Sequence, residues 1–177
     1  MNSQGALNWG LEVAEFWVKN FKIDGWRMDV AKEIKTPFWK EFRKIVKKHN
    51  KDTVLISEIF GDTSQWLQGD MFDGTMNYSF REMMTDYFAS NRMSTDKFNQ
   101  SLAQLYSMYS FEALSSCQNL LSSHDVKRFL NRCDDWNSVK GAIFMQATFP
   151  GLAGIYYGDE IGLNGGEDPN NREPFPW

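Results

Sequence analysis

Three short apolar runs in this chain each end on an acid, and helical patterns separate them. Ile23 to Val30 carries Arg27 and Asp29 near its far end, Val54-Leu55-Ile56-Ser57 runs into Glu58, and Asn119-Leu120-Leu121-Ser122-Ser123 runs into His124 and Asp125. Strands that alternate with helices pair in parallel, with the helices outside. The carboxyl ends of parallel strands converge at one rim, which is where open α/β sheets and barrels place their chemistry. An α/β fold with acids gathered at that rim is therefore the first expectation.

The intervening segments support the alternation. Helical spacing runs through Leu7, Leu11, Ala14, Phe16, Trp17 and Val18 and predicts a helix over 6–20. Thr36-Pro37 predicts a helix start with Thr36 as cap, followed by a helix over 37–49 that buries Phe38, Phe42, Ile45 and Val46. A β-branched strand is expected over 53–59. Then come a short helix over 64–69, a weaker strand over 71–78, and helices over 79–90 and 94–109. A strand over 116–122, a helix over 135–149 stopped by Pro150-Gly151, and a last strand over 152–157 complete the pattern, with 164–177 read as loop.

Composition narrows the function. A chain of 177 residues with 42% hydrophobic content suits one domain, residues 1–177, with a sizeable core. A net charge of -4 and the lack of a dense basic patch argue against nucleic acid as a partner. The lysines from Lys40 to Lys51 alternate with apolar residues and read as a solvated helix face. No apolar run reaches membrane length, and Met1 to Gly5 does not resemble a signal peptide. Cys117 and Cys133 have no His or Cys at metal-ligand spacing, so free thiols and a reducing, cytoplasmic setting are expected. Asp134-Asp135 reads as caps or solvated charge rather than as metal ligands. Seven Trp and 15% aromatics suit either a large core or a sugar-stacking surface.

Hydrolysis of a glycosidic bond needs one carboxylate as nucleophile or base and one carboxylic acid to protonate the leaving oxygen. Asp29 and Glu58 are the candidates, each at the end of an expected strand. Arg27 would keep Asp29 ionised, while Glu58 in an apolar setting would hold its proton longer. Asp125 could bind sugar hydroxyls or steady positive charge on the ring, and His124 could hydrogen-bond one hydroxyl. Bland alternatives stand beside these roles. Arg27 could be an ordinary ion-pair partner, and Asp125 could cap a helix beginning near Val126.

The motifs themselves resemble a known family. Asp24-Gly25-Trp26-Arg27-Met28-Asp29, Ile56-Ser57-Glu58-Ile59, and Ser122-Ser123-His124-Asp125 with Arg128 look like three signature regions of the α-amylase superfamily of glycoside hydrolases, in the same order and with matching separation. Gly69 to Asp73 with Met76-Asn77-Tyr78, and Ile155-Tyr156-Tyr157-Gly158-Asp159-Glu160-Ile161-Gly162, are similar to its neopullulanase and cyclomaltodextrinase branch. The resemblance implies a (β/α)8 TIM-barrel type fold, present here as a partial barrel covering about the fourth to eighth βα units. It implies a retaining α-glucan hydrolase acting on maltodextrins or cyclomaltodextrins, with Asp29 as nucleophile, Glu58 as general acid and base, and Asp125 stabilising the distorted sugar. Arg27 then orients the nucleophile and His124 contacts sugar beside the scissile bond. Asp168 and Arg172 in Gly166 to Arg172 take a further sugar. Glu33 matches a glutamate of the cyclomaltodextrinase branch.

Departures from the pattern are visible too. Phe60 and Gly61 stand where the branch often has tryptophan and histidine, and Lys32 stands where it usually has asparagine. The family's first signature region has no counterpart here. A catalytically silent sugar-binding or assembly fragment, or a transglycosidase, is therefore the alternative reading. No metal ligands or cofactor are assigned, and calcium is left to a full-length parent. An open five-stranded piece would expose its edges, which implies either one segment of a longer chain or pairing with another copy.

Overall fold

The computed structural model describes residues 3–177. In chain order these form α1 (Gln4–Phe21), β1 (Gly25–Met28), α2 (Thr36–His49), β2 (Val54–Ser57), β3 (Gly74–Asn77), α3 (Tyr78–Met84), α4 (Thr95–Met108), α5 (Phe111–Ser115), β4 (Gln118–Leu120), α6 (Trp136–Thr148) and β5 (Leu152–Gly154). Short 3-10 turns lie between and after them, among them Ala31–Glu33, Phe129–Arg132 and Asn170–Arg172, and a π-helical segment, Thr85–Ala89, extends α3. The chain divides into two compact units. The first runs to Met76 and takes in Phe111–Cys117; the second comprises Asn77–Ser110 and Gln118–Trp177.

In the first unit β1, β2 and β3 pair in parallel, with Gly25 opposite Val54, Met28 opposite Ser57, and Ser57 opposite Thr75. The core beneath them is aromatic. Trp39 and Phe42 of α2 pack on Phe72, Trp26 and Phe38 with ring centroids 5.0–5.9 Å apart, and Trp39 donates its indole N–H to the Ala31 carbonyl at 2.8 Å. Side chains of this size stabilise by roughly 1.5–3 kcal/mol each on full burial. At the amino ends of β2 and β3, Asp73 accepts from Arg43, Lys47 and the Leu55 amide, all at 2.8 Å. Burial alone would raise its pKa, but these three donors outweigh burial and hold it below the ordinary aspartate value. Gly74 must be glycine, because a Cβ there would lie 2.1 Å from the Ser116 carbonyl oxygen.

In the second unit β4 and β5 pair in parallel over Gln118 to Leu120 and Leu152 to Gly154. Gln146 of α6 donates to the carbonyls of Asn119 and Gly154 at 3.1 and 3.0 Å, tying the helix to both strands. Asn119 in turn accepts from Asn77 at 2.9 Å and donates to Pro150 at 3.0 Å. Phe80, Tyr106 and Phe149 close the apolar side. Asp135 caps α6 by accepting from Asn137 and Ser138.

The alternation read from the sequence is present, with differences that have physical causes. The first strand stops at Met28 because Val30 turns into the left-handed region at φ 44°. The cap position of α2 is Lys35, without a side-chain bond, and Thr36 is already helical. Asp125 caps nothing: the next helical turn begins only after Arg128. The helix α5 was not expected, since five residues are too few to display a helical period. Lys47 and Arg43 are more than a solvated face, being half-buried against Asp73.

Candidate active site

The first unit brings three of the expected residues together. Arg27, near the carboxyl end of β1, places one guanidinium nitrogen on Asp29 and the other on Glu58, the latter at 2.5 Å. The two carboxylates differ sharply in setting. Asp29 has its side chain 74% exposed, while Glu58 is buried. The backbone explains this contrast. The Glu58 N–H donates to Met28 at 2.9 Å and its carbonyl accepts from Ala31 at 3.2 Å, so the residue is locked against the end of β1. The Val30 N–H then reaches Glu58 Oε2 at 3.0 Å.

That last bond depends on strained backbone. A β-branched residue at positive φ is a genuine outlier and costs on the order of 1–3 kcal/mol, which the surrounding structure must offset. The turn at Val30 directs a peptide N–H at a carboxylate that has left the strand ladder. Glu58 therefore has a guanidinium and an amide about it, not the apolar setting expected from sequence. Arg27 serves both acids rather than Asp29 alone.

The second unit gathers the other four. The His124 Nε2 lies 3.1 Å from Asp125 Oδ2, Arg172 Nη2 lies 3.9 Å from Asp125 Oδ1, and Arg172 Nε lies 2.8 Å from Asp168 Oδ1. All four side chains are partly exposed. Their placement comes from a loop rather than from a strand, since β4 ends at Leu120. Carbonyls in that loop need donors from elsewhere. Arg81 of α3 supplies Leu121 at 3.0 Å and Lys127 at 3.4 Å, and Ser122 Oγ accepts from the Phe129 amide at 2.9 Å.

Two buried residues here had no role in the reading from sequence. Arg128 is fully buried, donates to the Tyr157 carbonyl at 2.7 Å and to Asp159 at 2.9 Å, and lies 4.5 and 4.9 Å over the rings of Tyr156 and Tyr157. Burial pushes the Asp159 carboxyl above its ordinary value despite bonds from Ser122 and Arg128. Asn171 is also fully buried and bonds to the loop carrying His124 and Asp125. Both lie inside segments that carry the resemblance, Arg128 after Asp125 and Asn171 between Asp168 and Arg172, but residue type alone does not show that they are buried.

Burial pushes the thiols of Cys117 and Cys133 up to about 11, and both are free. They are poor nucleophiles and play no part in the reading of the site. Among the described residues no group of three or more His, Cys, Asp or Glu side chains could hold a metal ion, and no helix is long and apolar enough to cross a membrane.

The chain is similar to known proteins along nearly its whole length. A family model described as "Alpha amylase, catalytic domain" matches residues 6–177. Neopullulanase 2 of Thermoactinomyces vulgaris is 44% identical over 168 residues, which cover 94% of this chain and 28% of that protein. A cyclomaltodextrinase of a Bacillus species is 42% identical, again over 94% of this chain and 30% of the relative. Among solved structures, the ligand-free cyclic alpha-maltosyl-(1→6)-maltose hydrolase of Arthrobacter globiformis superposes with a TM-score of 0.95 at 34% identity, covering 99% of this chain and 40% of that one. The chain thus spans about a third of the length of the curated relatives it matches.

Proposed function

Because the chain belongs to the alpha-amylase catalytic-domain family and presents a (β/α)8 TIM-barrel type fold in part, we propose that it carries the acids of a retaining α-glucan hydrolase acting on maltodextrins or cyclomaltodextrins. The observation that carries the reading is the Arg27 guanidinium held between Asp29 and Glu58. Asp29 is the exposed carboxylate, able to reach an anomeric carbon, and Glu58 is the buried one. One guanidinium serving both acids is compatible with the close carboxyl spacing of retaining enzymes.

The chemistry has two displacements. An Asp29 carboxylate oxygen attacks the anomeric carbon as the glycosidic C–O bond breaks, and Glu58 gives its proton to the departing oxygen. A glycosyl ester on Asp29 results. Glu58, now ionised, takes a proton from water, whose oxygen attacks the same carbon and displaces Asp29, so two inversions leave the configuration retained. Val30 N–H and Arg27 stabilise the ionised Glu58 that exists between the two steps. Arg27 also keeps the Asp29 oxygen oriented for attack. Asp125, with His124 beside it, binds hydroxyls of the ring and steadies its positive charge, while Asp168 and Arg172 hold an adjoining sugar. A second sugar hydroxyl in place of water would give transglycosylation.

The relatives' names point to the substrate class: one is a neopullulanase and another a cyclomaltodextrinase. Free thiols at Cys117 and Cys133 support a reducing, cytoplasmic compartment. Exposed Trp9, Phe16 and Phe21 on α1, and exposed Leu152 and Ile155 at β5, support the reading that other protein surface covers these faces. The decisive experiment replaces Glu58 by Gln in the full-length protein and measures turnover of maltodextrin and cyclomaltodextrin. Loss of turnover with retained sugar binding is expected; unchanged turnover would overturn the proposal.

A further inference from the structure

We infer that Asn171 is a positioning residue for Asp125, and that the segment 165–172 latches the loop on which His124 and Asp125 stand. The inference rests on the glycosidase reading above. Its starting point is a deficit in hydrogen bonding. The loop after β4 leaves the ladder at Leu120, and within Ser123 to Val126 the Val126 N–H meets the Ser123 carbonyl at 3.4 Å while the Asp125 N–H turns to Ser123 Oγ at 3.2 Å. Buried carbonyls left without donors are costly, so side chains must supply them.

The Asn171 NH2 turns its two N–H donors, one of them shared, to three such carbonyls. Its Nδ2 lies 3.2 Å from the Ser123 carbonyl oxygen, 2.8 Å from that of His124 and 3.0 Å from that of Val126. The His124 carbonyl belongs to the peptide plane that joins His124 to Asp125, and the Arg172 Nε reaches the same oxygen at 3.1 Å. The orientation of the Asp125 side chain is therefore set on its amino side by Asn171 and Arg172, which lie beyond α6 and β5 in the chain. Asn171 is fully buried, whereas Asp125 stays about one-third exposed, so Asn171 acts through the loop and not on sugar.

The latch is anchored at its other end. The Gly165 N–H donates to Asn131 Oδ1 at 2.7 Å and the Gly165 carbonyl accepts from Arg128 at 3.2 Å. A Cβ at Gly165 would stand 2.8 Å from Asn171 Cα and 2.9 Å from the Arg128 side chain, so the close approach requires glycine. Between these anchors the turn Asn170–Arg172 is closed by bonds from Asn170 to Glu167 at 2.8 Å and from Arg172 to Pro169 at 3.0 Å. Asparagine is the fitting residue at 171, because an aspartate of equal size would put a carboxylate oxygen, with no proton to donate, where the NH2 now faces three carbonyl oxygens.

The test is a double-mutant cycle in the full-length protein, with maltodextrin as substrate and thermal unfolding measured alongside. Asn171→Asp is expected to lower kcat roughly 100-fold, the scale of a misplacement of about 1 Å, with KM changed far less. In an Asp125→Asn background the same substitution should add less than about twofold, because the carboxylate it positions is already gone. An equal loss in both backgrounds would overturn the inference and leave Asn171 a structural residue. Asp125→Asn without effect on turnover would overturn the glycosidase reading of this loop, and the latch with it. If Asn171→Asp fails to fold, Gly165→Ala displaces the latch without altering Asn171, and the same cycle decides on the same criterion.

Discussion

The two groups of candidate residues are built in opposite ways. Arg27, Asp29 and Glu58 stand within two residues of strand ends whose ladder runs Met28 to Ser57, and main-chain bonds hold Glu58 on both its N–H and its C=O. His124 and Asp125 stand beyond a three-residue strand, on a loop held by side chains of α3 and of the segment after β5. The first group is positioned by the sheet, the second by distant donors. Chemistry set by a ladder is robust to change in its surroundings, whereas chemistry set by side-chain clamps can be undone one residue at a time.

Substitutions in the two groups test that contrast. The largest effect is expected from Asp29→Asn, which should lower kcat on maltodextrin roughly 10,000-fold or more while leaving the fold intact. Mass spectrometry of the wild-type protein after reaction with an activated fluoroglycoside should locate the trapped sugar on the peptide containing Asp29; a label elsewhere would break the assignment of the sheet-held group.

Asp73→Asn comes next, at the opposite ends of the same strands, and should cost about 3 kcal/mol by leaving the half-buried Arg43 and Lys47 without their partner. Its pH dependence has a defined sign. The folded Asp73 has a depressed pKa, so its stabilisation is complete above the unfolded value and is lost as pH falls through the folded one. Melting temperatures between pH 7 and pH 2 should therefore fall less steeply in the variant, and an unchanged slope would contradict the assignment.

A smaller effect is expected for Arg27→Lys, because an ammonium cannot fork between two carboxylates. It should lower kcat roughly tenfold to a hundredfold, with the pH profile of kcat altered. Smallest of all is Gln146→Leu, which removes two bonds from beneath the second group and should cost about 1–2 kcal/mol in urea unfolding. Its kcat should change less than about twofold if the clamps alone set Asp125. A larger loss would show that the strands matter there as well.

The sequence displayed what has short range. Helical spacing in Leu7 to Val18, the capping Asp135, and acids following apolar runs at Glu58 and Asp125 were all legible, and each is present. Motif resemblance named seven site residues, and the structure groups them as three about Arg27 and four about Arg172. Strand ends were overextended because periodicity says nothing of where a ladder stops, and at Val30 a β-branched residue hides a turn. Glu58 was expected in apolar surroundings because its neighbours Ile56 and Ile59 are apolar. The donors that reach it, Val30 and Arg27, lie about 30 residues earlier.

The alternation of strand and helix and the resemblance to the family were readable from residue type and local spacing alone. Long-range packing, by contrast, sets one guanidinium between two carboxylates, turns the Val30 amide onto Glu58, and brings Asn171 against the loop bearing Asp125. The reason is geometric. A hydrogen bond is fixed by distances of about 3 Å between groups far apart along the chain, and no pattern of residue types encodes which buried carbonyl a given amide will meet.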